Sequence, residues 1–343
     1  MLILLKDIYK FLSIKNRFNL IKLLLYSIIS AFLELFSIAL IIPIIGFVLL
    51  NSQSSNNFFG LNEHITILNS QNFIFLLFIS IYLAKLIFNI FYNYERERFV
   101  YKLQKELSNE LLVLYLNQPM KFFLERNTSE FIRNVQTATW EFIAGTLKSY
   151  IILITEIIIV MTLTIFLFYL YPLITLILFI FLFFAGFSFL HTYKKKMNSY
   201  RTNRLDFENQ TVKSLLESLG AIREIKIYQK KNFFISSFFK NLDKVLNIRQ
   251  NIEFIGTIPR IFYEFILILS VFLIFIFSYF LEFHIEGLIS MITVYLASTI
   301  RLLPSASKIT HSMQNIKIYR SSFDLIKKEF ILDKIKPKTI IEK

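Results

Sequence analysis

Residues Phe142–Leu170 read FIAGTLKSYIILITEIIIVMTLTIFLFYL, and only Lys148 and Glu156 in this stretch are charged. A helix needs about 20 predominantly apolar residues to cross the hydrocarbon core of a bilayer. The stretch exceeds that length, contains no proline, and has Gly145 as its only glycine. It therefore predicts a membrane-spanning helix, and the rest of the chain can be compared with it.

Five further stretches have the same character. The six predicted spans are Phe18–Leu50, Phe73–Tyr92, Phe142–Leu170, Leu173–His191, Phe254–Leu281 and Ile285–Pro304. Of the 343 residues 55% are hydrophobic, and a soluble protein of this size has too small an interior for so much apolar surface. Long unbroken apolar runs favour helices over the alternating strands of a barrel. The predicted fold class is all-α, a six-span polytopic membrane protein.

The net charge of +14 is distributed very unevenly. Thirteen Lys and Arg residues lie in the segment Thr192–Glu253 and seven in Asn93–Glu141, whereas Asn51–Asn72 and Glu282–Gly287 contain none. Because cytoplasmic loops carry the excess of Lys and Arg, both termini and the two long segments are predicted to be cytoplasmic. We expect an integral protein of the plasma (inner) membrane whose basic surface faces anionic lipid. This distribution explains the charge without nucleic acid as a partner.

The two long cytoplasmic segments have helical patterns and few breakers. Apolar residues recur at helical spacing in Ser108–Leu116 and Thr211–Leu219, so spans two to five are expected to continue as helices well below the membrane. Pro119 and Gly220 mark the predicted turns at the far ends. Two long paired stalks suit a protein that receives mechanical work from a cytoplasmic motor.

Several segments of the chain resemble the transmembrane domain of an ABC exporter, in particular the group of lipid-linked oligosaccharide flippases. The segments that carry this resemblance are Glu34-Leu35 with Ile41-Ile42-Pro43, Leu116-Asn117-Gln118-Pro119 with Phe122-Phe123 and Arg126-Asn127-Thr128-Ser129-Glu130, Ser218-Leu219-Gly220-Ala221-Ile222-Arg223-Glu224-Ile225-Lys226, and Arg301-Leu302-Leu303-Pro304-Ser305. They cover essentially the whole chain in the family's order.

The resemblance implies a domain-swapped dimer, expected to be a homodimer, that works with ATPase (nucleotide-binding) domains. No Gly of this sequence lies in a G-x-x-x-x-G-K-[ST] phosphate-binding loop. We therefore expect residues 1–328 to form the transmembrane domain and 329–343 a linker, where an ATPase domain would normally follow. The chain is not expected to be an enzyme by itself. ATP and Mg would enter only through the nucleotide-binding domain, which is separate or missing.

The resemblance also implies that the tips of the two cytoplasmic segments are coupling helices that contact the ATPase. The residues predicted to form them are Gln118, Pro119, Phe122, Phe123, Glu125 and Arg126 in the first segment, and Ser214, Leu215, Glu217 and Ser218 in the second. The periodicity of these segments by itself is equally compatible with helix ends that are exposed to water and contact no partner.

Ionisable residues inside spans are costly and are therefore candidates for function. Lys85, Arg260 and Arg301 lie in three different spans, at depths in the inner half of the membrane. A ring of such groups suits an anionic ligand such as a phosphate or pyrophosphate. Alternatively, Arg260 pairs with Glu264 one helical turn away, and Lys85 and Arg301 extend to the interface.

The carboxylates Glu34, Glu156 and Glu264 lie deeper in their spans. The default prediction is structural pairing with Lys or Arg of other helices, and the functional alternative is a latch that changes partners during transport. The chain has no cysteine and four scattered histidines, so no metal site and no catalytic residue is predicted. Pro43 is expected to kink the first span, and Asn57–Leu68 to form either a short external helix or an ordered loop.

The predicted function is export of an amphipathic, anionic lipid-linked glycan by alternating access. Two alternatives remain open at this stage. One is an exporter of the same fold for peptides or apolar compounds, and the other is an ATP-independent carrier or channel.

Overall fold

The computed structural model describes residues 2–41, 44, 71–172, 175, 176, 180, 184, 206–280 and 285–335. This part of the chain contains helices and turns but no strand, so the all-α prediction is confirmed there. Four predicted features lie outside these residues, wholly or in large part. They are the kink at Pro43, the external element Asn57–Leu68, the span Leu173–His191 and most of the linker 329–343.

We number the helices in chain order. They are α1 (Leu2–Phe11), α2 (Ile14–Ala39), α3 (Gln71–Leu116), α4 (Met120–Leu124), α5 (Thr128–Leu170), α6 (residues 206–220), α7 (Ile222–Tyr228), α8 (Lys231–Phe280) and α9 (Ile285–Ile335). The short helices α4 and α7 each join two long helices, so the fold has two tips. Three helices in the described residues are long and apolar enough to span a membrane: Ile14–Ala39, Phe75–Leu116 and Thr128–Leu170. Six spans therefore stay a prediction.

The long helices extend far beyond any bilayer. The 46 residues of α3 and the 51 residues of α9 correspond to about 69 Å and 77 Å at 1.5 Å per residue, against a hydrocarbon core of about 30 Å. The sixth predicted span ended at Pro304, but Pro304 lies inside α9. A proline removes one backbone hydrogen bond, which here does not end the helix.

The main apolar core lies in the half of the bundle that contains the stalks. It joins α1, α2, α3, α5 and α9 through residues such as Leu103, Phe142 and Phe323. The ring of Phe11 from α1 makes edge contacts with Phe142, Phe323 and Phe330. Helix α1 is also fixed by an ion pair of 2.8 Å between Asp7 and Lys327 of α9, and the hydrogen bond with Lys327 holds the pKa of Asp7 below its ordinary value. The amino-terminal helix therefore packs against the stalk end of α9.

Helix α5 contains two π-helical segments, Asn134–Ala138 and Glu141–Leu147. The second segment packs against α9, where the buried Glu141 accepts a hydrogen bond of 2.6 Å from Ser322. Gly145 of the same segment lies against the ring of Tyr319. The wider π turn and the missing side chain at position 145 together let α5 and α9 approach closely.

Candidate functional site

Two carboxylates are buried at the centre of the bundle. Glu34 on α2 and Glu156 on α5 are each 4% exposed. Helical periodicity places Glu34 on the same face as Ala31 and Ile38, and these two residues form an apolar cluster with Ile159 and Leu163 of α5. The apolar faces that pack α2 against α5 thus also turn both carboxylates into the interior. A buried carboxylate requires partners, because its desolvation costs several kcal/mol.

Glu34 binds two cationic side chains from two other helices. Its Oε1 atom lies 2.9 Å from the Nζ of Lys85 on α3 and 2.9 Å from the Nε of Arg301 on α9. Lys85 also donates a hydrogen bond of 3.1 Å to Ser37 Oγ. One carboxylate therefore links α2, α3 and α9.

Glu156 is bound by three donors from one face of α9. Its Oε2 accepts from Ser305 Oγ at 2.7 Å and from Arg301 Nη1 at 3.5 Å, and its Oε1 accepts from Lys308 Nζ at 2.8 Å. Arg301 Nη1 also donates to Ser305 Oγ at 2.9 Å. Residues 301, 305 and 308 follow the i, i+4, i+7 spacing of one helix face, which explains why they converge on a single carboxylate.

These five charged residues form a continuous group, which we call the charged network: Glu34, Lys85, Glu156, Arg301 and Lys308. It joins α2, α3, α5 and α9 and contains three cations and two anions, so it carries a net charge of +1. Lys308 is the most exposed member of the network, and Lys85 at the other end is 17% exposed. The side chains of Glu34 and Glu156 are 5% and 6% exposed, Arg301 20%, and Lys308 53%. An anion would therefore reach the network at Lys308 first.

The structure unites two of the three predicted basic residues. Lys85 and Arg301 meet on Glu34, and both are held by carboxylates rather than standing as free cations. Arg260 belongs to α8, but its side chain lies outside the described residues, so a pair with Glu264 stays a prediction. Glu264 itself is exposed on α8. In the described part of the chain no group of three or more His, Asp or Glu side chains could hold a metal ion.

Sequence reasoning missed Lys308. The sixth span was ended at Pro304, so Lys308 was counted with the basic cytoplasmic tail. The spacing from Arg301 through Ser305 to Lys308 was the available signal, and it requires the helix to continue past Pro304.

The first cytoplasmic tip consists of α4 and its flanking turns. Phe122 is buried against Tyr115, Phe123 and Phe131, whereas Met120 and Leu124 are exposed. Of the residues predicted to contact a partner, Pro119 and Glu125 are exposed and Gln118, Phe123 and Arg126 are half-buried. Burial raises the pKa of the Tyr115 hydroxyl far above its ordinary value, and this hydroxyl accepts a hydrogen bond of 2.9 Å from Asn134 Nδ2. The tip is thus packed around Phe122, and it exposes Met120 and Leu124 together with the charged Lys121 and Glu125.

The second tip follows the residues that are predicted to contact the ATPase, and that contact stays a prediction. Thr211–Leu219 belong to the long helix α6, which continues to residue 220, and the predicted contact residues Ser214, Leu215, Glu217 and Ser218 lie on its side. The short helix between the two stalks is α7, Ile222–Tyr228. The turn falls at Ala221, one residue after the predicted position at Gly220, and Gln229 ends α7 in the left-handed conformation with φ of 53°.

The chain matches the family model of the ABC transporter transmembrane region over residues 20–303. The match covers most of the chain, including both tips and four residues of the charged network, while Lys308 follows it. The resemblance to ABC exporters is thereby confirmed, and the flippase group stays a prediction. The chain belongs to the ABC transporter transmembrane region family, and it is a membrane exporter subunit.

Proposed function

We propose that this subunit exports an amphipathic substrate with an anionic head group, of the class of lipid-linked glycans joined through phosphate or pyrophosphate. The observation that carries this proposal is the convergence of Arg301, Ser305 and Lys308 on the carboxylate of Glu156. These three groups already bind one pair of anionic oxygens, and the network has a net charge of +1. A phosphate group could take the place of the carboxylate, because guanidinium and ammonium groups both bind phosphate oxygens well.

Two observations support an ATPase as the energy source. Both tips present apolar side chains to solvent, with Met120 and Leu124 at the first and Ile227 and Tyr228 at the second. We infer that the ATPase covers these side chains at each tip, since the family is one of ABC transporters. ATP and Mg would then bind to the nucleotide-binding domain, with the chain itself contributing no catalytic residue.

A second copy of this chain is the proposed partner within the membrane. The stalk part of α8 exposes Phe233, Phe239 and Leu246, which a dimer would cover. The distribution of Lys and Arg supports an inner-membrane protein with both termini in the cytoplasm. In a swapped dimer the exposed tip α7 would contact the ATPase of the partner subunit.

The proposal predicts that Lys308→Gln slows export of an anionic lipid by roughly tenfold, because it removes a charged hydrogen-bond donor from the head-group site. Export would be measured in proteoliposomes that contain the chain and its ATPase, with a fluorescent pyrophosphate lipid and its neutral alcohol as the two probes. The matched control is Lys240→Gln, an exposed lysine on the stalk part of α8, which should leave both rates unchanged.

Equal export of both lipids by the wild type would contradict an anionic substrate and favour an exporter of peptides or apolar compounds. Transport of either lipid without the ATPase would instead favour an ATP-independent carrier.

A further inference from the structure

The first tip is fastened to the far end of α9 by a partly buried ion pair. Arg126, just after α4, donates from Nη1 to Oε1 and Oε2 of Glu329 at 3.0 and 2.9 Å. The side chain of Glu329 is 8% exposed and that of Arg126 25%, so solvent screens this pair less than a surface pair. Arg126 also lies over the ring of Phe122, 4.7 Å from its centroid.

We infer that Arg126 and Glu329 clamp the first tip to α9, so that the tip and α9 move as one body during transport. This inference rests on the proposed function, in which an ATPase acts on the tips. It assigns positioning roles to two residues that do not touch the substrate. The pair Arg126–Glu329 is called the tip clamp below.

An aromatic cluster beneath the tip clamp supports the same conclusion. The rings of Tyr115, Phe122 and Phe131 lie with their centroids 4.9 to 6.1 Å apart. Phe330, the neighbour of Glu329, packs against this cluster. The contact between the tip and α9 therefore combines a charged pair with buried aromatic area, which gives it both direction and strength.

The path from the tip clamp to the charged network is a single helix. Glu329 and Lys308 are 21 positions apart on α9, or about 32 Å at 1.5 Å per residue, and α9 is continuous from Ile285 to Ile335. A displacement of the first tip would thus reach Lys308 and Arg301 through one element. The second tip differs, because the pair Glu208–Arg249 ties α6 to α8 instead.

The first test measures whether the tip and α9 separate. The chain has no native cysteine, so spin labels at Leu124→Cys and Lys328→Cys would report one distance while both residues of the tip clamp stay intact. The complex with its ATPase would be compared without nucleotide and with trapped ATP. We expect an unchanged distance for this pair and a changed distance between labels at Leu124 and Ile227, which compare the two tips. A change within the first pair would overturn the inference.

The second test measures how tightly substrate transport is coupled to ATP hydrolysis. Arg126→Gln should lower the amount of substrate moved per ATP hydrolysed by roughly tenfold while ATP hydrolysis continues. The charge swap of Arg126→Glu with Glu329→Arg should restore part of the ratio. The matched control is Arg98→Gln, which breaks the exposed pair Arg98–Glu95 on α3 away from the tip and should leave the ratio unchanged.

The first test fails separately from the proposed function, and the second uses a lipid whose export by the wild type has first been measured. A wrong substrate class would show in the comparison of the two lipids, whereas the label distances depend only on nucleotide. If a folded Arg126→Gln variant moved as much substrate per ATP hydrolysed as the wild type, the tip clamp would be refuted even if the anionic lipid is exported.

Discussion

Glu34→Gln should destabilise the folded protein by about 3 kcal/mol, because removing one partner of a buried ion pair leaves the other charge uncompensated. Glu34 holds both Lys85 and Arg301 at 2.9 Å. Its loss raises the net charge of the network from +1 to +2 and leaves Lys85 with Ser37 Oγ and the ring of Tyr82, neither of which carries a negative charge. The side chains of Lys85 and Arg301 are 17% and 20% exposed, so water compensates little. Thermal unfolding of the purified chain, followed by far-ultraviolet circular dichroism, would measure the effect.

A matched carboxylate tests whether burial in the charged network causes the loss of stability expected for Glu34→Gln. Glu97 of α3 also binds two cations, Arg96 and Lys148, but its side chain is 33% exposed. Glu97→Gln should cost less than about 1 kcal/mol. Adding Lys85→Met to Glu34→Gln removes one of the two uncompensated charges and should recover part of the loss. The pairing would be refuted if Glu34→Gln and Glu97→Gln lowered the unfolding temperature equally.

Gly145→Ala should destabilise the contact between α5 and α9 by about 2–3 kcal/mol, through overpacking of a buried site. A Cβ atom at position 145 would lie 2.5 Å from Cγ and Cδ2 of Tyr319 and 2.9 Å from its Cβ. These atoms are at the base of the side chain, so rotation of the ring cannot remove the clash and the helices must move apart. The same unfolding measurement would detect the effect.

Gly220→Ala is the matched control for Gly145→Ala. No atom beyond its chain neighbours and the backbone of its own helix lies within 4 Å of the position that its Cβ would take, and Gly220 is helical, so this change should be neutral or slightly stabilising. Shortening the obstructing side chain by Tyr319→Ala should make Gly145→Ala less costly than it is alone. Equal behaviour of the Gly145 and Gly220 variants would mean that α5 and α9 are not in close contact.

Predictions that depend only on residues close together in the sequence were accurate in the part of the chain that the structure describes. The helical class, the helix over residues 142–170 that is long and apolar enough to span a membrane, and the continuation of α3 beyond Tyr92 follow from apolar length and periodicity, which neighbouring residues determine. The end of a helix is predicted less accurately where the prediction rests on a single residue that disfavours helices. Pro304 lies within α9, because packing along a long helix outweighs the preference of one residue, whereas the turn expected at Gly220 falls at the next residue, Ala221.

The sequence by itself thus determined the kind of protein, its helical construction and the identity of four of the five residues in the charged network, since a charge inside an apolar run is visible without a structure. Only the tertiary structure decided which of these charges meet. Lys85 and Glu34 are 51 positions apart, and Lys308 and Glu156 are 152 apart. Pairs at such separations depend on which faces of α2, α3, α5 and α9 pack together, and that choice is made by the apolar surfaces of all four helices at once.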